Sequence, residues 1–227
     1  MIGLESETAE KSDKEKNWMR KRQDRRILIQ PEYHLIITEG TKTEPQYFNA
    51  IALAINHKYR GRIMVDVEPG QNNTLHLLDK AVKLVRNSSN VYRHGWVVYD
   101  TDDFPAEHVN QTAVQCSILS SDETTYHAVW SNQCIELWFL LHFDFFHSDI
   151  HRSEYFPKLS GYLVNIGVGQ YHKNRSDIYP VLKPYMNVGI ENARKLANIN
   201  KSRTPAASAP GTMVYELIET LRPYLDE

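Results

Sequence analysis

Tyr33-His34-Leu35-Ile36-Ile37-Thr38-Glu39-Gly40 is the stretch on which the fold turns. Its short, β-branched apolar run reads as a buried strand, and Glu39-Gly40 ends it in a tight turn. Downstream, Thr43 offers an N-cap oxygen and Glu44-Pro45 suit a first helical turn, so a helix is expected to about Lys58. Ile63, Val65 and Val67 alternate within residues 62–68, which predicts a second strand stopped by Pro69-Gly70. Leu75, Leu78, Val82 and Val85 recur at spacings of three and four, the pattern of an amphipathic helix from Thr74 to Arg86. Gly95-Trp-Val-Val-Tyr99 is a third strand and runs into Asp100-Thr101-Asp102-Asp103. A helix over 106–118 and a strand over 125–130 follow. Ser131-Asn132 then reads as the cap of a very apolar helix from Gln133 to Phe143.

The order βαβαβαβα predicts an α/β fold: a parallel four-stranded sheet flanked by helices on both faces. Residues 27–145 carry this domain. Residues 1–26, polar and charged, read as a lead-in. Residues 146–227 read as a mostly helical C-terminal appendage. In it, Gly161, Gly167 and Gly169 punctuate a loop-rich stretch, and Ala206-Ala-Ser-Ala-Pro-Gly211 looks like an exposed loop. Thr212 begins a terminal helix with Val214, Leu217, Ile218 and Leu221 on one face. No internal repeat is visible.

Composition narrows the function. A hydrophobic share of 41% and a charged share of 24% are ordinary for a globular chain with a real core. The most apolar run, Ile135 to Phe146, is broken by Glu136, His142 and Asp144, so no membrane span is expected. The N-terminus has early acids and no apolar h-region, which argues against a secretory signal. Two cysteines, Cys116 and Cys134, exclude a disulfide framework and make a cysteine zinc site unattractive. These features suggest the cytoplasm. A formal charge of −2 speaks against coating nucleic acid by bulk charge. Lys14, Lys16, Arg20, Lys21, Arg22, Arg25 and Arg26 do crowd one segment; it reads as a solvated tail before a dedicated phosphate-binding arm.

The chemistry lies in the acids at the strand ends. In an open parallel sheet, ligands sit beyond the carboxyl ends of the strands. The first strand delivers Glu39 there; the third delivers Asp100 and, two residues on and so facing the same way, Asp102. If the two strands are neighbours, the three carboxylates meet. Three such groups cannot all ionise cheaply without a cation, and an all-oxygen set suits Mg²⁺ or Mn²⁺. Such an ion accepts phosphate oxygens and activates water. Glu39 has the alternative of staying metal-free and moving a proton. Each motif also has a plain reading as a polar turn after a strand; the pairing of the two favours the metal site.

These residues resemble the Toprim family, the metal-binding domain of topoisomerases, primases and several nucleases, whose signature is a strand-ending Glu-Gly followed by a strand-ending Asp-x-Asp. The wider pattern resembles the RloB-like, or AbiLii, family of abortive-infection proteins. It comprises Arg26-Ile-Leu-Ile29, Glu39-Gly-Thr-Lys-Thr-Glu-Pro-Gln-Tyr-Phe48, Trp96-Val-Val-Tyr-Asp-Thr-Asp-Asp103 and Ser131-Asn-Gln-Cys-Ile-Glu-Leu-Trp-Phe-Leu-Leu-His142. Tyr171-His-Lys173 and the terminal helix follow more weakly, and Gln133 stands where the family pattern suggests proline. The resemblance implies a Toprim nuclease in phage defence, often paired with a partner ATPase, with Glu39, Asp100 and Asp102 as its metal-site acids. It leaves DNA and RNA both open.

Other candidates have duller rivals. Lys42, in the loop opening the first helix, suits a phosphate as well as it suits solvent. Gly40-Thr-Lys-Thr43 is no P-loop, because no glycine stands six residues before Lys42. Glu136 either complements a helix dipole or adds a metal or general-base carboxylate. His142 reads as a buried, hydrogen-bonded histidine, and Lys173 either reaches a scissile phosphate or lies on the surface. Trp130, Trp138, Phe139 and Phe143 are at core spacing. The expected function is therefore a Mg²⁺-dependent endonuclease using Glu39, Asp100 and Asp102, assisted by Glu136 and Lys42. The rival is a non-catalytic regulatory module docked on a defence ATPase.

Overall fold

The computed structural model describes residues 31–70, 74–101 and 104–225. The lead-in over 1–26, and Asp102 with Asp103, lie outside the described residues. Strand β1 spans Glu32–Thr38, helix α1 Thr43–Lys58, β2 Ile63–Pro69, α2 Thr74–Asn87, β3 Tyr92–Asp100, α3 Ala106–Leu119 and β4 Thr125–Asn132. After β4 come α4 (Glu136–Leu141), α5 (Tyr155–Asn165), α6 (Ile178–Leu182), α7 (Met186–Ile199), β5 (Gly211–Thr212) and α8 (Val214–Leu221).

The sheet order is β2-β1-β3-β4-β5. The first four strands are parallel, as their apolar runs and helical crossovers require. From β1 the chain moves outward to β2, then crosses back over β1 to β3 and on to β4. The order therefore reverses between β1 and β3, which makes their carboxyl ends a topological switch point. Alternate residues feed opposite layers. Leu35, Ile37, Val97 and Tyr99 pack under α2 and α3 with Leu77, Leu78 and Val109. Ile36, Trp96, Val98 and Val129 pack under α1, α4 and the C-terminal helices with Tyr47, Trp138 and Leu217. Trp138 Nε1 donates to the Tyr47 hydroxyl at 2.9 Å, so this large buried pair leaves its indole N–H satisfied. At the outer strand, the Asn56 amide accepts from Val65 N at 2.8 Å and donates to Val65 O at 2.9 Å. A side chain thus does for β2 what a neighbouring strand would do.

Several expectations need correction. The sheet has five strands: Gly211–Thr212 pairs antiparallel with Ser131 and Asn132, and the Ser131 and Thr212 hydroxyls meet at 2.9 Å. Residues 206–211 are accordingly no exposed loop; Ser208, Pro210 and Gly211 are buried. Ser131 and Asn132 belong to β4 and do not cap a helix; the peptide after Asn132 is cis, and α4 begins only at Glu136. Gly161 lies inside α5, while Gly167 and Gly169 have positive φ and do form the following loop. Lys42, not Thr43, stands at the N-cap of α1. Trp138 and Phe139 are fully buried, and Trp130 and Phe143 partly so. Among the described residues no helix is long and apolar enough to cross a membrane.

Candidate functional site

β1 and β3 are hydrogen-bonded neighbours with Thr38 opposite Val98, so their ends deliver Glu39 and Asp100 to one place. Glu39 N donates to Val98 O at 2.9 Å, continuing the ladder one residue past β1. Its side chain turns back over the end of β3: Glu39 Oε2 accepts from Asp100 N at 3.1 Å. β3 thus outruns β1 and carries Asp100, half-buried, directly beside the Glu39 carboxylate. Thr101 N then donates to Ser131 O and Gln133 O at 3.1 and 3.2 Å, fixing Thr101 against the end of β4.

Two more carboxylates close the pocket. Glu136 opens α4 and is 2% exposed. Its Oε1 accepts from the Tyr171 hydroxyl at 2.9 Å, and its carboxylate also takes the Cys134 thiol as a hydrogen-bond partner. Burial first, then the negative charges of Glu136 and Asp100, push the Cys134 thiol far up, so it stays protonated. Glu44, in the first turn of α1, is 6% exposed and accepts from the backbone N–H groups of Gly40 and of Glu44 itself. Burial raises its pKa and the Glu136 charge raises it further, against those N–H groups and Lys173. The Glu44 carboxylate lies in the space that a Cβ on Gly40 would fill, so any larger residue at position 40 would displace it. The run Glu39, Asp100, Cys134, Glu136, Glu44 and back to Gly40 is a closed circuit of neighbours.

A roof comes from the loop after α5. Thr43 Oγ1 donates to Lys173 O at 2.7 Å, tying that loop to the start of α1. Tyr171 N donates to Ser160 Oγ at 3.0 Å, and the Arg175 guanidinium bonds Val168 O and Gln170 O at 2.8 and 3.1 Å. Tyr171 therefore reaches Glu136 from a braced loop, and Lys173 lies close enough to lower the Glu44 pKa while its Nζ sits 5.4 Å from the Phe156 ring centre. Lys42 is exposed at the entry to α1, three residues from Glu39. His142 is buried with Nδ1 2.9 Å from Trp138 O, as its place on an apolar helix suggested.

The structure thus brings Glu39, Asp100 and Glu136 into one pocket and sets Lys173 at its rim, while Asp102 lies outside the described residues. Sequence reasoning passed over Glu44 and Tyr171. Both fall within the family-like stretches Glu39–Phe48 and Tyr171–Lys173, but local pattern gives Glu44 only a place in a helix's first turn and gives Tyr171 no role. Chemically, the donors are oxygens only. Several carboxylates share a poorly hydrated space with one nearby ammonium group, an arrangement that suits a hard divalent cation.

Comparison with curated proteins and with solved structures returns no match. A scan of family models returns one that covers residues 34–221, described as RloB-like protein, and it runs from within β1 to the end of α8. The chain belongs to the RloB-like family.

Proposed function

We propose that the chain is a Toprim-type nuclease that hydrolyses nucleic-acid phosphodiester bonds at the β1–β3 switch point, with Mg²⁺ or Mn²⁺ as its cofactor. The observation that carries this reading is the Glu39 side chain folded over the Asp100 amide, within a pocket that Glu44 and Glu136 also enter. Glu39 and Asp100, with Asp102 two residues further along the sequence, would hold the ion. When bound, it would polarise a phosphoryl oxygen and lower the pKa of a coordinated water. The protein's own groups do the rest. Lys173 and Lys42 offer positive charge to the nonbridging oxygens of the substrate. Glu136, whose carboxylate accepts from Tyr171, would take a proton from an attacking water. Cys134, held protonated, does not compete as a nucleophile. The family resemblance supports a setting in anti-phage defence, in the cytoplasm and beside a partner ATPase, with DNA or RNA as substrate.

The test is cleavage of DNA and RNA panels by the full chain, alone and with a candidate partner ATPase, in Mg²⁺ and in chelator. Asp100→Ala is expected to lower the rate by more than about a hundredfold, beyond the range of changes behind a metal's direct ligands. Full cleavage by the Asp100→Ala/Asp102→Ala double variant would remove the proposal. A second reading draws on the internal ties of Glu44 and Glu136: the pocket is a regulatory ion site of a non-catalytic partner. It predicts metal binding and ATPase association without turnover, and full biological effect in the acid variants.

A further inference from the structure

A second cluster lies at the opposite end of the strands. Glu32 and His34 are two residues apart on β1 and share one face of the sheet; His94 on β3 is the register partner of His34. Glu32 Oε1 is 3.1 Å from His34 Nε2 and 3.6 Å from His94 Nε2. One ligand atom from each of the three residues lies within 4.8 Å of the other two. The span of β1 puts this cluster roughly 20 Å from Glu39, so it is no part of the acidic pocket.

The geometry points to a transition-metal site of the zinc class at Glu32, His34 and His94, clamping the start of β1 to β3. Two imidazoles and one carboxylate form a borderline-soft N₂O set, which suits Zn²⁺ or Co²⁺ and is a poor match for Mg²⁺. Contacts near 3 to 4 Å between donors match what bonds of about 2 Å to a common tetrahedral centre require. The environment is graded as such sites are: His34 is 1% exposed, while Glu32 and the His94 side chain are partly open, leaving a position for water. Behind His94, Nδ1 lies 2.9 Å from His127 Nε2, a neutral acceptor that would orient the ring. His127 is itself held by stacking on Trp96, with ring centres 3.9 Å apart.

One contact opposes the ion and yields a signature. The Trp96 indole N–H donates to His34 Nδ1 at 3.2 Å, so without metal His34 carries its proton on Nε2 and gives it to Glu32. A metal on Nε2 of the neutral ring requires that proton to move to Nδ1, and the Trp96 contact then opens. Binding therefore perturbs tryptophan emission even with the spectroscopically silent Zn²⁺.

The experiment titrates Co²⁺ into the full chain carrying Glu39→Gln and Asp100→Asn, so that the acidic pocket is disabled and the outcome is independent of the nuclease reading. One equivalent is expected to bind with the intense visible absorption of a four-coordinate N/O site, and Zn²⁺ is expected to displace it. His127→Ala should weaken binding by about ten- to a hundredfold. His94→Ala, and separately Glu32→Gln at the strand's open start, should abolish the band. Unchanged absorption in His94→Ala or Glu32→Gln, or no four-coordinate band in the parent, overturns the assignment.

Discussion

Acidification should expose His142 as a pH-dependent weak point of the core. The ring lies just beyond α4, 1% exposed; its Nδ1–H donates to Trp138 O, and its Nε2 is buried with no hydrogen-bond partner. Gly189 of α7 approaches so closely that a Cβ there would stand 2.9 Å from Nδ1. Burial, opposed only by the backbone contacts to Trp138 and Phe139, lowers the pKa from 6.5 to about 4. The unfolded chain therefore takes up a proton near pH 6.5, while the folded chain does so only near pH 4. Stability is complete above pH 6.5, falls as the pH drops through that window, and levels out below about 4. A shift of this size corresponds to about 3 kcal/mol at completion, of which about 2 kcal/mol should be gone by pH 4.5. That is a large part of a typical folding free energy.

The assay is urea unfolding at pH 7.0, 5.5 and 4.5 for the parent chain and for His142→Asn. The asparagine amide keeps a donor near Trp138 O and cannot ionise in this range. His34 and His127, also lowered to about 4, are common to both proteins and cancel in the comparison. His142→Asn should be the less stable at pH 7.0 and lose about 2 kcal/mol less on going to pH 4.5. Stability curves that run parallel for the two proteins would refute the reasoning.

Tyr47→Phe strands the buried Trp138 N–H and is expected to cost about 1–3 kcal/mol in chemical unfolding, with little change in secondary structure by circular dichroism. Asn56→Ala uncovers the N–H and C=O of Val65 on the outer strand; it should lower the urea midpoint by a similar amount and increase aggregation seen by light scattering. Thr43→Val removes the bond to Lys173 O, so amide exchange over residues 170–173 should quicken while the unfolding midpoint moves by less than about 1 kcal/mol.

The parallel sheet was legible because β1, β3 and β4 are dense in β-branched and aromatic residues, and because a strand-ending acid sits where such a sheet binds its ligands. The convergence of Glu39 and Asp100 followed from one further fact, the adjacency of β1 and β3, which no local pattern encodes. What escaped has a common cause in tertiary context. β5 is two residues long and exists only because Thr212 meets Ser131. The loop-like run 206–211 buries Ser208, Pro210 and Gly211, with Asn200 Nδ2, just past α7, donating to Pro210 O at 2.8 Å. Gly161, read as a loop marker, is carried by α5, whose Tyr155, Leu159 and Leu163 fill the core. Glu44 has an ordinary place in a helix's first turn and a different one once Gly40 lets its carboxylate settle on the backbone.

The roof over the acidic pocket bears on the order of events during synthesis. A nascent chain that has emerged only through α4 already possesses Glu39, Asp100, Glu44 and Glu136, yet lacks the phenol and the ammonium that residues 171 and 173 bring from about thirty positions further on. Their delivery waits for α5 to dock and for Arg175 to brace the return. In any order of assembly, the pocket therefore stays unfinished until that distant loop has joined the sheet.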